Sequence, residues 1–324
     1  MNLWAAADLL TPMAIRVAAT LRLADHLTAG TRTTTALATA VDADPGALQR
    51  LLNHLVTAQV LTRDDDLYSL TPLGDQLRAD HPSNARAWLD LTGAIGHAEL
   101  SFIHLLHTVR TGEPAYPQLY GTPFWDDLTA DPARAASFDA LMASRLSTDA
   151  PAIAAAYPWS GLGHLIDVGG GNATLLIAIL QAHPTLRGTV LDLQGPAARA
   201  AQAIAAANLT DRAGTHPGSF FDPLPAGAGG YLLSGVLHDW DDPHGTHILH
   251  RCATAAAPAG TVLVLEDGTG IEPPNTTGDL RMLCYLQGQD RTHTHLIALA
   301  HEAGLTHTGT TTIAERSLLS FQPA

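Results

Sequence analysis

The chain has 324 residues, 46% of them hydrophobic, and its 17 basic against 31 acidic side chains leave a formal charge of −14 at pH 7. The length predicts two domains of roughly 150 residues each, and the acidic balance, with every basic residue an arginine, excludes the basic stripe that a nucleic-acid backbone requires. Only Cys252 and Cys284 are present, which excludes a disulfide scaffold and fits a reducing compartment, and no apolar run reaches the length of a membrane span.

The first residues, Met1-Asn-Leu-Trp-Ala-Ala-Ala-Asp-Leu-Leu10, lack the basic flank of a secretory leader, so a cytoplasmic location is expected. Apolar positions continue to Leu27, punctuated by Arg16, Arg22, Asp25 and His26 in the manner of an amphipathic helix pair. From Thr33 to Leu77 the pattern reads helix, turn, helix and a short polar hairpin, with Asp44 as an N-cap and Pro45 at the first helical position. This is a winged helix by pattern. Its second helix offers only Arg50 as a cation, and Asp64, Asp65 and Asp66 occupy the wing, so a dimerisation or lid role is expected over DNA binding.

From about Pro82 to Tyr157 the pattern is helical, interrupted between Thr111 and Pro123, with Trp88, Phe102, Trp125, Phe138 and Met142 spread along it. A helical layer beside a nucleotide domain is a common place for an apolar small-molecule pocket. From His164 onward strands alternate with helices: strands at 164–169, 188–193, 230–236 and 260–266, a helix near 293–303, and a final hairpin of strands near 305–312 and 316–321. The pattern predicts an α/β domain with a doubly wound, mostly parallel sheet and one antiparallel strand.

The segment Leu165-Ile-Asp-Val-Gly-Gly-Gly-Asn-Ala-Thr-Leu-Leu176 runs from a buried strand through a glycine turn into an apolar helix. Gly169, Gly170 and Gly171 allow close backbone approach, and the helix start offers free N–H groups. Asp192 closes the next strand near the spacing at which such sheets place a carboxylate on a ribose diol, which points to an adenosine-type ligand. A dinucleotide fingerprint would place glycine where Thr174 stands, and the methyltransferase variant would place one where Ala173 stands.

Several further passages follow in order: Gly112-Glu-Pro, Gly121-Thr-Pro-Phe-Trp125, Phe138-Asp-Ala-Leu-Met142, Gly218-Ser-Phe-Phe-Asp-Pro-Leu-Pro225, Val236-Leu-His-Asp-Trp-Asp-Asp242, Val262-Leu-Val-Leu-Glu-Asp267 and Asp279-Leu-Arg-Met, then Gly288-Gln-Asp-Arg-Thr292. With these the chain resembles, over nearly its full length, the S-adenosylmethionine-dependent small-molecule O-methyltransferases of plant phenylpropanoid and bacterial polyketide metabolism. The resemblance implies a Rossmann-like class I methyltransferase domain at 158–324, a winged-helix dimerisation domain at 1–81, and a helical connector at 82–157 lining the substrate pocket. It also implies a homodimer, S-adenosylmethionine as cofactor with S-adenosylhomocysteine as product, no metal, and a small, aromatic, hydroxylated acceptor. Gly169 and Gly171 would approach the methionine part of the cofactor, Asp192 its ribose, Ser219 and Phe220 its adenine, with Ser234 nearby and Arg145 at the methionine carboxylate. Phe102, Trp125, Phe138, Met142, Met282 and Tyr285 would line an apolar acceptor pocket.

By the same resemblance His238 is the general base, oriented by Glu266 and Asp290, the latter one methylene shorter than the usual glutamate. The chemistry needs such a group. A phenol near pKa 10 is only about 0.1% ionised at neutral pH, a deficit of about 4 kcal/mol. A positioned histidine typically supplies about 10² to 10⁴ in rate. His244, His247 and His250 recur every third residue and rotate around their helix, so they do not converge as metal ligands. His293 and His295 face different directions at a helix start. The competing readings are the same fold and cofactor with N- or C-methylation, hydroxylation, decarboxylation or cyclisation; a nicotinamide oxidoreductase; and a metabolite-sensing winged-helix regulator.

Overall fold

The computed structural model describes residues 2–267 and 275–324. The chain divides into two compact units, Met1–Leu100 with Asp131–Leu141, and Ser101–Ala130 with Met142–Ala324. The expected connector at 82–157 is therefore not a unit of its own. Its beginning packs with the N-terminal residues: Leu91 N donates to Thr20 Oγ1 at 2.9 Å and Leu89 lies against the N-terminal core. Ser137 Oγ accepts from Ala94 N at 2.9 Å, which ties the 131–141 segment to the same unit.

In the first unit, helices Leu10–Thr20, Leu23–Thr28, Thr34–Ala40 and Pro45–Thr57 precede an antiparallel hairpin of β1 (Leu61–Asp64) and β2 (Leu67–Leu70). The sequence specifies the fourth helix closely. Asp44 caps it by accepting from Ala47 N at 2.7 Å, Pro45 sits in its first turn, and Leu48, Leu52 and Leu55 form one buried stripe. They join Leu23, Leu37 and Tyr68 in the core. The acidic turn between β1 and β2 is exposed, as the wing pattern predicts.

The second unit carries a seven-stranded sheet in the order β5-β4-β3-β6-β7-β9-β8. Its strands are β3 (His164–Val168), β4 (Arg187–Asp192), β5 (Ala213–Pro217), β6 (Gly230–Ser234), β7 (Thr261–Asp267), β8 (Leu305–Ile313) and β9 (Arg316–Pro323). The first five pair in parallel, and β9 is antiparallel to both of its neighbours. Alternate residues feed separate cores on the two faces: Tyr231, Leu233, Val262 and Val264 on one, Leu232, Leu263 and Leu265 on the other. Double burial explains why these strands read as continuous apolar runs. Strand β5 is absent from the sequence expectation because Ala213-Gly-Thr-His-Pro217 is an edge strand without apolar alternation, with Thr215 as its one β-branched residue.

The chain passes from β3 outward to β4 on one side and returns to β6 on the other, so the sheet reverses direction between β3 and β6. Ligands of open α/β sheets bind beyond the carboxyl ends of the strands at such a switch point. Gly169–Gly171, Asp192, Ser234, His238 and Glu266 all follow or terminate strands at that edge.

Candidate active site

The glycine turn begins directly after β3. Gly169 (φ 74°) and Gly171 (φ 56°) are left-handed, and a Cβ on Gly169 would come within 2.9 Å of Val236 Cγ2 and 3.5 Å of the Phe220 ring. Nothing lies within 4 Å of the position a Cβ would take on Gly171. The turn is thus tight on one side and open on the other. Ala173, where glycine is the usual choice, keeps the left-handed turn at φ 70° although fully buried, a conformation costing roughly 1–2 kcal/mol for a residue with a Cβ.

The carboxylate of Asp192 links β4 to this turn. One oxygen accepts from Gly171 N at 2.9 Å and the other from Leu193 N at 2.7 Å. Beneath it Asp167 is buried, and one of its oxygens has no hydrogen-bond partner among the described residues. Burial, reinforced by the charge of Asp192, pushes the Asp167 carboxyl up to about 7. Phe220 lies against the turn and packs edge-on to Trp240 with centroids 5.9 Å apart. Ser219 Oγ accepts from Phe221 N, and Ser234 ends β6 half-buried. An open glycine turn, a carboxylate at the end of the adjacent strand, a flanking aromatic ring and an orphaned buried acid fit an adenosine-bearing, positively charged ligand.

His238 occupies a single 3-10 turn, Leu237–Asp239, just after β6. Glu266, buried near the end of β7, uses both oxygens there: Oε2 lies 2.8 Å from His238 Nδ1, and Oε1 accepts from Leu237 N at 2.9 Å. An ionised carboxylate only accepts, so Nδ1 carries the hydrogen and Nε2 is the atom presented for proton exchange. Asp239 Oδ1 stands 3.3 Å from Nε2. Burial by itself would lower the pKa of His238, but the charges of Glu266, Asp239 and Asp290 together with the Glu266 hydrogen bond outweigh it and raise the imidazole to about 10. Burial raises Asp239 to about 7, against the opposing pull of His238.

Asp290 acts on the imidazole through its charge, and its own carboxyl is raised by burial. It shares with His238, Glu266, Asp267 and Gln289 the lining of a cavity of about 10 Å³, water-sized. Arg145 pairs with Asp267, which also receives Arg316 Nη1 at 2.8 Å. Its guanidinium is thereby held at the end of β7, one residue beyond Glu266.

Phe102 and Tyr285 meet edge-on at 5.9 Å. Phe124 joins them to Trp125, with centroids 6.3 Å from Tyr285 and 5.0 Å from Trp125. Met282 lies one turn before Tyr285 on helix Thr276–Leu286. Met142 belongs to the same compact unit, whereas Phe138 belongs to the first. Phe124, buried and central to this cluster, is not among the sequence-based candidates, although it neighbours Trp125 in the Gly121-Thr-Pro-Phe-Trp125 passage. Asp239 is likewise absent from them despite standing inside the His-Asp-Trp sequence.

The histidines of helix Asp242–Ala256 have separate partners: His244 Nδ1 faces Asp241 Oδ1, His247 Nε2 the carbonyl of Phe221, and His250 Nδ1 the carbonyl of Ala303. His295 Nε2 lies 3.0 Å from Asp242 Oδ2.

An O-methyltransferase domain is matched by residues 102–306, and an O-methyltransferase dimerisation domain by residues 4–80. The chain is 54% identical to the 2,7-dihydroxy-5-methyl-1-naphthoate 7-O-methyltransferase of Streptomyces carzinostaticus, over 94% of this chain and 92% of that protein. It is 48% identical to the aclacinomycin 10-hydroxylase RdmB of Streptomyces purpurascens, over 92% of this chain and 82% of that one. Its fold matches, with a TM-score of 0.97, 51% identity and coverage of 100% and 99% of the two chains, an O-methyltransferase from neocarzinostatin biosynthesis solved with S-adenosylmethionine and 2-hydroxy-5-methyl naphthoic acid.

Proposed function

From the premise that the chain belongs to the S-adenosylmethionine-dependent O-methyltransferases, we propose that it methylates a phenolic hydroxyl of a fused-ring aromatic acid of the naphthoate kind, with His238 as general base. The substrate class rests on the naphthoates named for the relatives above. The cluster of Phe102, Phe124, Trp125 and Tyr285, part edge-on and part stacked, supports it, since aromatic walls suit a planar guest.

When bound, S-adenosylmethionine would supply an electrophilic methyl group, with S-adenosylhomocysteine as the product left behind. Gly169 and Gly171 would let the backbone approach its methionine part, Asp192 would accept from its ribose hydroxyls, and Phe220 and Ser219 would flank its adenine, with Ser234 beside it. Arg145, already committed to Asp267, takes the methionine carboxylate only by sharing its guanidinium.

Nε2 of His238 accepts the proton of the acceptor hydroxyl as that oxygen attacks, and Glu266 holds Nδ1–H and stabilises the imidazolium that forms. With His238 raised to about 10, near the ordinary pKa of a phenol, the ring is free to take the proton only as the pH rises toward that value. Asp290 adds negative charge, and Asp239 is placed to relay the proton from Nε2. The observation that carries the reading is the dyad itself: a half-buried imidazole fixed by a fully engaged carboxylate, its other nitrogen left at the site.

Incubation with methyl-labelled S-adenosylmethionine and a panel of hydroxynaphthoates tests the reading. A labelled methyl ether is expected. The hydroxylase among the relatives favours one alternative, in which the same substrate is oxidised at the expense of molecular oxygen and carries no label; mass spectrometry separates the two.

We also propose a homodimer. Leu3, Trp4, Leu9 and Leu10 are exposed large apolar side chains within or beside the segment matched as a dimerisation domain. Light scattering showing a stable monomer would refute it.

A further inference from the structure

We infer that Arg291 is a positioning residue that holds the backbone of the His238 turn by its carbonyls, where Glu266 holds the imidazole and the Leu237 N–H. This rests on His238 being the base. The guanidinium is almost completely buried, with a side-chain exposure of 1%. Its three nitrogens each take one acceptor around the turn: Nε donates to Asp242 Oδ1 at 2.9 Å, Nη1 to the carbonyl of Leu237 at 2.7 Å, and Nη2 to the carbonyl of Trp240 at 2.7 Å, with a longer bond from Nη1 to the carbonyl of Gln289 at 3.5 Å. Leu237 and Trp240 bracket His238 and Asp239. A single rigid plane therefore fixes both ends of the segment that carries the imidazole.

The turn is closed by one long bond, Trp240 N donating to the Leu237 carbonyl at 3.3 Å, and Arg291 Nη1 adds a charged donor to that same oxygen. Only a planar fork with five donors serves several acceptors in fixed directions, whereas a lysine ammonium is one point charge on a flexible stem. Asp242, the anion that anchors Nε, also accepts from Gln289 Nε2 at 2.6 Å and faces His295 Nε2 at 3.0 Å. Burial would raise the Asp242 carboxyl, but the Arg291 hydrogen bond and charge, with His295, hold it below its usual range. Gly288 brings this segment into backbone contact with the turn, since a Cβ there would stand 2.1 Å from the carbonyl oxygen of His238. Glu266 thus holds the imidazole and the Leu237 N–H, while Arg291 holds the carbonyls of Leu237 and Trp240.

The test uses Arg291→Lys, which keeps the charge, so a change in His238 reports geometry and not a lost cation. The groups facing His238 are Glu266 on β7, Asp239 on the turn and Asp290 on the neighbouring segment; all three remain. Histidine Cε1–H resonances of the intact protein are titrated, with His238 assigned from the spectrum of His238→Gln. Turnover, acceptor KM and S-adenosylhomocysteine affinity are measured alongside.

In folded Arg291→Lys we expect kcat to fall about tenfold or more with acceptor KM and product affinity within about twofold. The His238 midpoint is expected to drop by about one pH unit or more toward the ordinary 6.5, as the ring swings away from Glu266. Wild-type kcat and midpoint in that variant would overturn the inference. If Arg291→Lys does not fold, Asp242→Asn carries the test, with the same directions expected and an unchanged kcat and midpoint overturning it. Wild-type turnover by His238→Gln would remove the base reading itself, whereas an inactive His238→Gln beside a fully active Arg291→Lys would remove the positioning role alone.

Discussion

Glu266 Oε2 lies 2.8 Å from His238 Nδ1 while its second oxygen accepts from the backbone N–H of Leu237 at 2.9 Å, so one carboxylate fixes both the ring and the turn that bears it. Glu266→Gln removes the charge and, in either amide orientation, leaves only one acceptor oxygen. We expect kcat to fall by about 10² or more, since the imidazolium loses its stabilising partner. Equal kcat in the variant, measured at saturating acceptor, would show that the carboxylate is dispensable.

The pH dependence follows from the raised pKa of His238. A base must be unprotonated to act, and the free enzyme holds this ring protonated up to about 10. kcat/KM is therefore expected to climb as pH rises from neutrality toward that value, and to be lost on the acid side. In Glu266→Gln the midpoint of this limb should move down toward 6.5. A flat wild-type profile across that range would contradict the assignment.

Asp167 gives a stability prediction of the opposite sign from the usual carboxylate. Its folded pKa, about 7, lies above the unfolded value of 3.8, so the native state binds the proton more tightly. Stability is greatest while the group is protonated and declines as pH rises from about 4 to 7, by on the order of 4 kcal/mol from this group alone. Asp167→Asn should come nearest to wild type below about pH 4 and exceed it by a margin that grows up to about pH 7 in urea unfolding, both without cofactor. A pH-independent difference between the two proteins would refute this.

Gly169→Ala places a methyl group 2.9 Å from Val236 Cγ2 at a residue with φ 74°. We expect a stability loss of roughly 1–2 kcal/mol from the left-handed conformation and weaker S-adenosylhomocysteine binding by calorimetry. Gly214→Ala, on the open edge strand β5 with nothing within 4 Å, is the matched control and should bind normally. Equal binding by both variants would mean that Gly169 does not form the cradle.

The parts of the site that lie at strand ends were legible in the sequence. A parallel sheet places the carboxyl ends of β3, β4, β6 and β7 on one edge, so Gly169, Asp192, His238 and Glu266 gather there once the strands are identified. The doubly wound sheet, its terminal hairpin and the winged helix follow from apolar periodicity in the same way. What depended on side-chain direction and long-range packing was not legible. Asp239 reaches Nε2 only because a 3-10 turn brings neighbouring side chains together, and Arg291 reaches Leu237 and Trp240 across more than fifty positions of sequence. The pairing of Arg145 with Asp267, the central place of Phe124, and the division of the 82–157 stretch between two units rest on contacts that no local pattern encodes.

The most direct measurement is the single-turnover methylation rate of His238→Gln with a hydroxynaphthoate acceptor, taken with its S-adenosylmethionine affinity by calorimetry. We predict a rate reduced by about 10² or more at the alkaline pH where the wild-type ring has given up its proton, with cofactor affinity nearly unchanged. A wild-type rate in a variant that binds cofactor normally would contradict it, and would leave acceptor alignment alone to carry the reaction.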